Sequence, residues 1–195
     1  STNLFAKFSM SQIIRTAIES DFNGILDLQS QNLYTHLSPA ELNNGFVTTP
    51  FTPDLLRQLI VQTGVLVAEA DGKIVGYLLA GDWNFFSQWE IFRVMISHLP
   101  KLNFQGQEIT VDNSFQYGPV CVDRSLRGGD ILPQLFAKMR MNFASKFPIG
   151  ITFINKLNQR SFAAHIRKLD LEIINEFEFN DNSFYTLAFS TTQLP

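Results

Sequence analysis

A single cysteine, Cys121, leaves this chain unable to close an internal disulfide or to build a cysteine-rich metal site. His36 and His98 stand far apart without metal-ligand spacing, so no metal is expected. Basic residues are scarce as well: 15 Lys and Arg stand against 18 Asp and Glu, a formal net charge of −3. A nucleic-acid binder would carry a basic stripe, and that class of partner is not expected. No apolar run approaches the roughly 18 residues of a membrane span, and no secretory signal is visible. The expected setting is therefore the cytoplasm, without membrane attachment. Internal repeats and low-complexity tracts are missing too.

What the chain does have is length and aromatic bulk. Its 195 residues suit one domain with a sizeable core, and 19 are Phe. So many rings imply an aromatic core or an apolar surface kept for a ligand or partner. The segment before Met10 reads as an added remnant or loose tail with Met10 as the natural start, a short native extension being the equal alternative. One domain over residues 10–195 is the expectation.

Breakers and periodicity set the order of elements. Gln12–Ala17 alternates as a strand, and Ser20 or Asp21 caps a helix to about Tyr34. Thr52 and Pro53 open a helix to about Gln62. Asp71-Gly72 joins two strands as the strongest hairpin signal in the chain. The aromatic stretch Trp83–Lys101 has helical spacing. The segment "FQYGPVCVD" is a strand, about Asp130 to Lys146 a helix, "IGITFIN" a strand and Asn158–Leu169 a helix. A terminal hairpin turns around Asp181-Asn182. This succession predicts a mixed α/β (α+β) sandwich about one sheet.

Two stretches carry the chemistry. In "VCVDRSLRGGDILPQLF" (Val120–Phe136) an apolar strand runs into a glycine turn and then a helix, which leaves backbone N–H groups facing a potential anion. "NQRSFAAHIRKLDLEII" (158–174) places Asn158, Ser161 and His165 along one helix. The element order and these two stretches together resemble the GNAT superfamily of N-acetyltransferases, over nearly the whole chain after Met10. Val122, Leu126, Arg127, Gly128, Ile131 and Leu135 fall in register with the family's first motif. Asn158, Ser161 and Leu171 match the second, with one extra residue before the strand. The departures are Asp130 at the second glycine position, Leu132 at the third small position, His165 where many members carry a Tyr acid, and Asp170 in place of a glycine.

The resemblance implies a mostly antiparallel central sheet, flanked by helices, with one splayed parallel strand pair. It also implies acetyl-CoA as co-substrate, without a metal. The implied cofactor-binding residues are Val120, Val122, Arg127, Gly128, Gly129, Asp130, Ile131, Leu132, Asn158, Ser161 and His165. Most of the phosphate binding falls to Arg127, Gly128 and Gly129. His165 is the implied proton donor to the departing thiolate; the alternative is a partly exposed helix histidine with no role. A carboxylate at Asp130 within ~4 Å of a phosphate would cost roughly 1–4 kcal/mol; alternatively Asp130 only caps the helix. Cys121 reads as a buried, inert thiol. Glu69 reads as a solvated edge residue rather than a base, and no base is named. The aromatic insert at about 83–114 packs over the acceptor cleft or forms a homodimer interface. The expected activity is acyl transfer to an amine, small molecule or peptide, by direct attack; the alternative is a non-catalytic module that binds a CoA-like ligand or a protein partner.

Overall fold

The computed structural model describes residues 11–192, so the expectation for the segment before Met10 lies outside the described residues. In chain order the elements are β1 (Gln12–Thr16), α1 (Phe22–Ser30), α2 (Pro53–Val61), β2 (Val65–Ala70), β3 (Lys73–Gly81), α3 (Trp83–Phe86), α4 (Glu90–His98), β4 (Asn103–Phe104), β5 (Gln107–Glu108), β6 (Ser114–Val122), α5 (Ile131–Phe143), β7 (Ile149–Asn155), α6 (Gln159–Arg167), β8 (Glu172–Phe179) and β9 (Asn182–Ser190). Seven strands form one sheet in the order β1-β2-β3-β6-β7-β9-β8. Every neighbouring pair is antiparallel except β6 and β7.

Local chemistry explains most boundaries. Thr52 Oγ1 accepts the Leu55 N–H at 3.3 Å and so starts α2, with Pro53 in the first turn where an N–H is not needed. Asp71 (φ 50°) and Gly72 (φ 76°) turn β2 into β3. In the last hairpin the left-handed residues are Asn180 and Asp181, so the turn sits one residue earlier than the sequence suggested and Asn182 already belongs to β9. The insert is also corrected. It is two helices broken around Ser87–Trp89, followed by the small β4–β5 hairpin, rather than one helix.

The sheet separates two apolar layers. One layer holds α1, α2 and the insert, with Phe22, Leu56, Trp83, Phe86, Phe92 and Met95 buried among others. The other holds α5 and α6, with Phe115, Tyr117, Ile131, Phe136 and Phe189. The aromatic face of the insert is thus taken up inside this chain: Phe92 touches the rings of Phe86, Trp89 and Phe153. Among the described residues no helix is long and apolar enough to cross a membrane.

Strands β6 and β7 stay paired only over Ser114–Gln116 and Ile149–Ile151. Beyond Gln116 the strand β6 passes through Gly118 (φ 111°) and the cis Gly118–Pro119 peptide and diverges from β7. The gap between them is where the site lies.

Candidate active site

The first wall of the site is the end of β6. Asp123 N–H donates to Val75 O on β3, so by strand alternation the backbone groups of Val120 and Val122 face the opposite way, into the gap. The chain then turns through Gly128, whose φ of 85° suits a residue without a side chain. A Cβ there would meet nothing within 4 Å, so the loop lies open to the cleft. No hydrogen bond within the described residues uses the backbone N–H of Gly128, Gly129 or Leu132. A helix start with free donors on a glycine turn fits an anionic phosphate.

The second wall is α6. Asn158 precedes it as N-cap: its Oδ1 accepts the Ser161 N–H at 3.4 Å, and its Nδ2 donates to Phe46 O at 3.3 Å. The same side chain therefore starts the helix and ties down the loop Gly45–Val47 that covers the gap. Asp170 takes a left-handed backbone (φ 56°) and lets Leu171 N–H close back on His165 O.

Two adjoining chambers fill the gap. The outer one, about 330 Å³, is lined by Val120, Cys121, Val122, Arg127, Gly128, Gly129 and Leu132 on one side and by α6 on the other. The inner one, about 80 Å³, reaches from Gln116–Val120 to Thr152–Asn155 and is roofed by Phe46–Thr49 and Phe92. Val120, Asn158, Ser161 and His165 line both.

Charge in the outer chamber is entirely positive. Arg127, Arg160, Arg167 and Lys168 line it, with no Asp or Glu among its lining residues. Arg127 donates to Val122 O (3.0 Å) and Asn32 Oδ1 (2.6 Å), which locks the glycine turn to the segment after α1. Burial lowers the Arg127 pKa, and Arg124 and Arg160 act in the same direction. Lys168 Nζ donates to Gly128 O at 2.8 Å and holds the turn from the far wall. The sequence reading missed Arg160, Arg167 and Lys168, although their seven- and eight-residue spacing on one helix face was a usable signal.

The two anticipated faults of the phosphate turn resolve differently. Asp130 stands at the N-cap of α5, as read, but its exposed side chain makes no cap bond and lines neither chamber, which corrects the expected backbone acceptor and the expected cofactor contact. Ile131 is corrected too: it is 1% exposed and packs in the core against Gly76 rather than facing the cleft. Leu132 does line the outer chamber.

At the junction of the chambers, Tyr117 Oη lies 2.6 Å from His165 Nε2, and His165 Nδ1 lies 2.7 Å from Ser161 O. A carbonyl oxygen only accepts, so Nδ1 carries the proton and Nε2 accepts the Tyr117 O–H. Burial lowers the His165 pKa to about 4. The imidazole is therefore neutral near pH 7 and 3% exposed, which corrects both the protonated acid and the partly exposed bystander. Burial raises the phenol of Tyr117 as well. Cys121 is pushed up to about 12, again by burial, and stays a thiol. Glu69 is bonded to Arg15 at 2.8 Å, which removes it as a base. Among the described residues no group of His, Cys, Asp and Glu could hold a metal.

One further atom stands out. Gln116 is 1% exposed, lines the inner chamber and donates from Nε2 to Tyr117 O at 2.8 Å, yet its Oε1 has no partner. Leaving such an acceptor unpaired in a protein interior costs about 1–3 kcal/mol.

No family model matches the chain, and no curated protein matches it. Solved structures do. Ribosomal-protein-alanine N-acetyltransferase from Brucella melitensis is 21% identical with a TM-score of 0.58, covering 91% of this chain and 99% of its own. The Salmonella typhimurium protein yncA, solved with its cofactor acetyl-CoA, is 15% identical with a TM-score of 0.62, covering 94% and 95%. Polyamine N-acetyltransferase from Drosophila melanogaster is 12% identical with a TM-score of 0.63, covering 92% and 100%. The chain has the GNAT fold. Its mostly antiparallel seven-stranded sheet with one parallel pair lies between helix layers, and the identities to these proteins speak for architecture alone.

Proposed function

We propose that this protein is an acyl-CoA-dependent N-acyltransferase that moves an acetyl group from acetyl-CoA to an amine. One observation carries the reading: a positively charged chamber with free backbone donors opens, through the Tyr117–His165 junction, onto a second chamber lined in part by aromatic rings. The phosphates of the co-substrate would be held by Arg127, Lys168 and the backbone N–H groups of Gly128 and Gly129. Its amide-bearing arm would lie along the backbone of Val120 and Val122 where it faces the gap. When bound, it supplies the thioester on which the amine acts.

This chain's residues then divide the work. Cys121, buried and protonated, forms no acyl-enzyme, so attack is direct. The new C–N bond replaces the C–S bond; the nitrogen has a proton to lose and the thiolate one to gain, so the balance closes within the two reactants. His165 holds the Tyr117 O–H at the junction and positions it for that transfer, which gives His165 a part in catalysis without an imidazolium.

The absence of a carboxylate among the lining residues of either chamber favours the second reading, a non-catalytic module that binds a CoA-like ligand or a protein partner. Calorimetry with acetyl-CoA and an assay of thiol release with an amine panel separate the two. Binding with thiol release is the expected result. Binding without release from any amine selects the module, and no binding at millimolar acetyl-CoA overturns both CoA-dependent readings. A homodimer belongs to this proposal only through surfaces other than Phe92 and Met95, which are buried. A sedimentation mass of 22.2 kDa would remove it.

A further inference from the structure

We propose that the acceptor is an amine with an uncharged body, and that Gln116 Oε1 receives an N–H of its reacting nitrogen. The inference rests on the acyl-transfer reading and adds the acceptor class to it.

Gln116 sits at the last rung between β6 and β7, opposite Ile151, just where the strands part. It shares a sheet face with Ser114, whose Oγ accepts the Trp83 indole N–H at 2.9 Å, so its side chain looks toward the insert. The amide's orientation is set by chemistry: Nε2 faces the Tyr117 carbonyl, and a carbonyl takes a donor. Oε1 is then a fixed, neutral acceptor without a partner. A ligand that donates one hydrogen bond there relieves a cost the protein otherwise carries.

The remaining walls define the body of that ligand. Phe46, Val47, Phe92, Pro119 and Phe153 are apolar, Thr48, Thr49, Thr152 and Asn155 add neutral polar groups, and no Asp or Glu lines the chamber. An ammonium brings a full charge to a place whose acceptors are all neutral. A second cation further along the molecule finds no counter-charge at all, and desolvation excludes it. A neutral amine gives one N–H to Gln116 and keeps its lone pair for attack. With about 80 Å³, the chamber takes the nitrogen and a few carbons. This separates the present chain from the Drosophila melanogaster neighbour, a polyamine N-acetyltransferase.

The test uses benzylamine and 1,4-diaminobutane, titrated by calorimetry in alkaline buffer against the full chain, Gln116→Leu and Gln116→Glu. Benzylamine is expected to bind about tenfold more tightly than the diamine, with about tenfold lost in Gln116→Leu, the scale of one hydrogen bond. Gln116→Glu is expected to reverse the preference toward the diamine, a gain that misfolding cannot imitate. A native preference for the diamine, no binding of either amine, or equal benzylamine affinity in Gln116→Leu overturns the inference. Because the readout is binding rather than turnover, Gln116-dependent benzylamine binding without thiol release from acetyl-CoA would sink the acyl-transfer reading and leave the amine site standing.

Discussion

Tyr117 on β6 and His165 on α6, 48 residues apart in sequence, share one proton across 2.6 Å at the point where the two chambers meet. The pair is closed off from water, with His165 3% exposed and Tyr117 fully buried. Both its chemistry and its energetics follow from that enclosure.

Stability should depend on pH through His165. Its folded pKa of about 4 lies below the ordinary 6.5, so between these values the unfolded chain binds the extra proton. The contribution is complete above pH 6.5 and is lost as the pH falls toward 4, on the order of 3 kcal/mol in all. Urea midpoints measured from pH 7 to pH 4.5 should fall, and His165→Phe should flatten the slope. An unchanged slope in that variant would place the acid sensitivity elsewhere.

The pair should also be coupled energetically. Tyr117→Phe and His165→Phe each leave a buried polar atom without its partner and should cost about 1–3 kcal/mol. The double variant should cost less than the sum by about 1–2 kcal/mol, read from a denaturation cycle. Simple additivity would mean that the 2.6 Å contact contributes nothing to folding.

The charged residues around the glycine turn should behave unequally. Lys168→Ala removes a cation from the outer chamber and releases the Gly128 carbonyl, and should weaken acetyl-CoA about three- to tenfold, with a shallower salt dependence. Asp130→Asn should change affinity by less than about twofold, because its carboxylate is exposed and outside the lining. Calorimetry at two salt concentrations reads both.

Phe92→Ala should destabilise the fold by about 3–5 kcal/mol, the cost of emptying a buried aromatic site. Phe92 is 1% exposed and roofs the inner chamber, so the same change should enlarge the range of amines accepted. Thermal melts and an amine panel check the two effects separately.

Sequence reading did well where structure is local. Thr52, Asp71-Gly72, the 120–136 turn and the helix start at Asn158 each act within a few residues, and each has a backbone reason to be where it is. It failed where meaning depends on distant partners. Tyr117 and His165 become a pair only when β6 and α6 pack, and that packing turns an expected acid into a neutral acceptor. Asp130 was misjudged for a related reason. Its place in a motif was visible, but its absence from the chamber lining was not. Gln116 left no signal at all, because an unpaired oxygen exists only relative to everything that fails to reach it.

An open sheet of seven strands ordinarily has two edges; this one has four. Besides the outer flanks of β1 and β8, strand β6 past Gln116 and strand β7 past Ile151 each present an unfilled side to the gap. Exposed strand edges invite pairing with other chains, but here both inner rims are sunk between helix layers, where another protein's strand cannot follow. Only something slender can complete the ladder: a single extended molecule with amides along its length, acting as a removable eighth strand. Hydrogen exchange at the Val120 and Val122 amides would then record when that strand is in place.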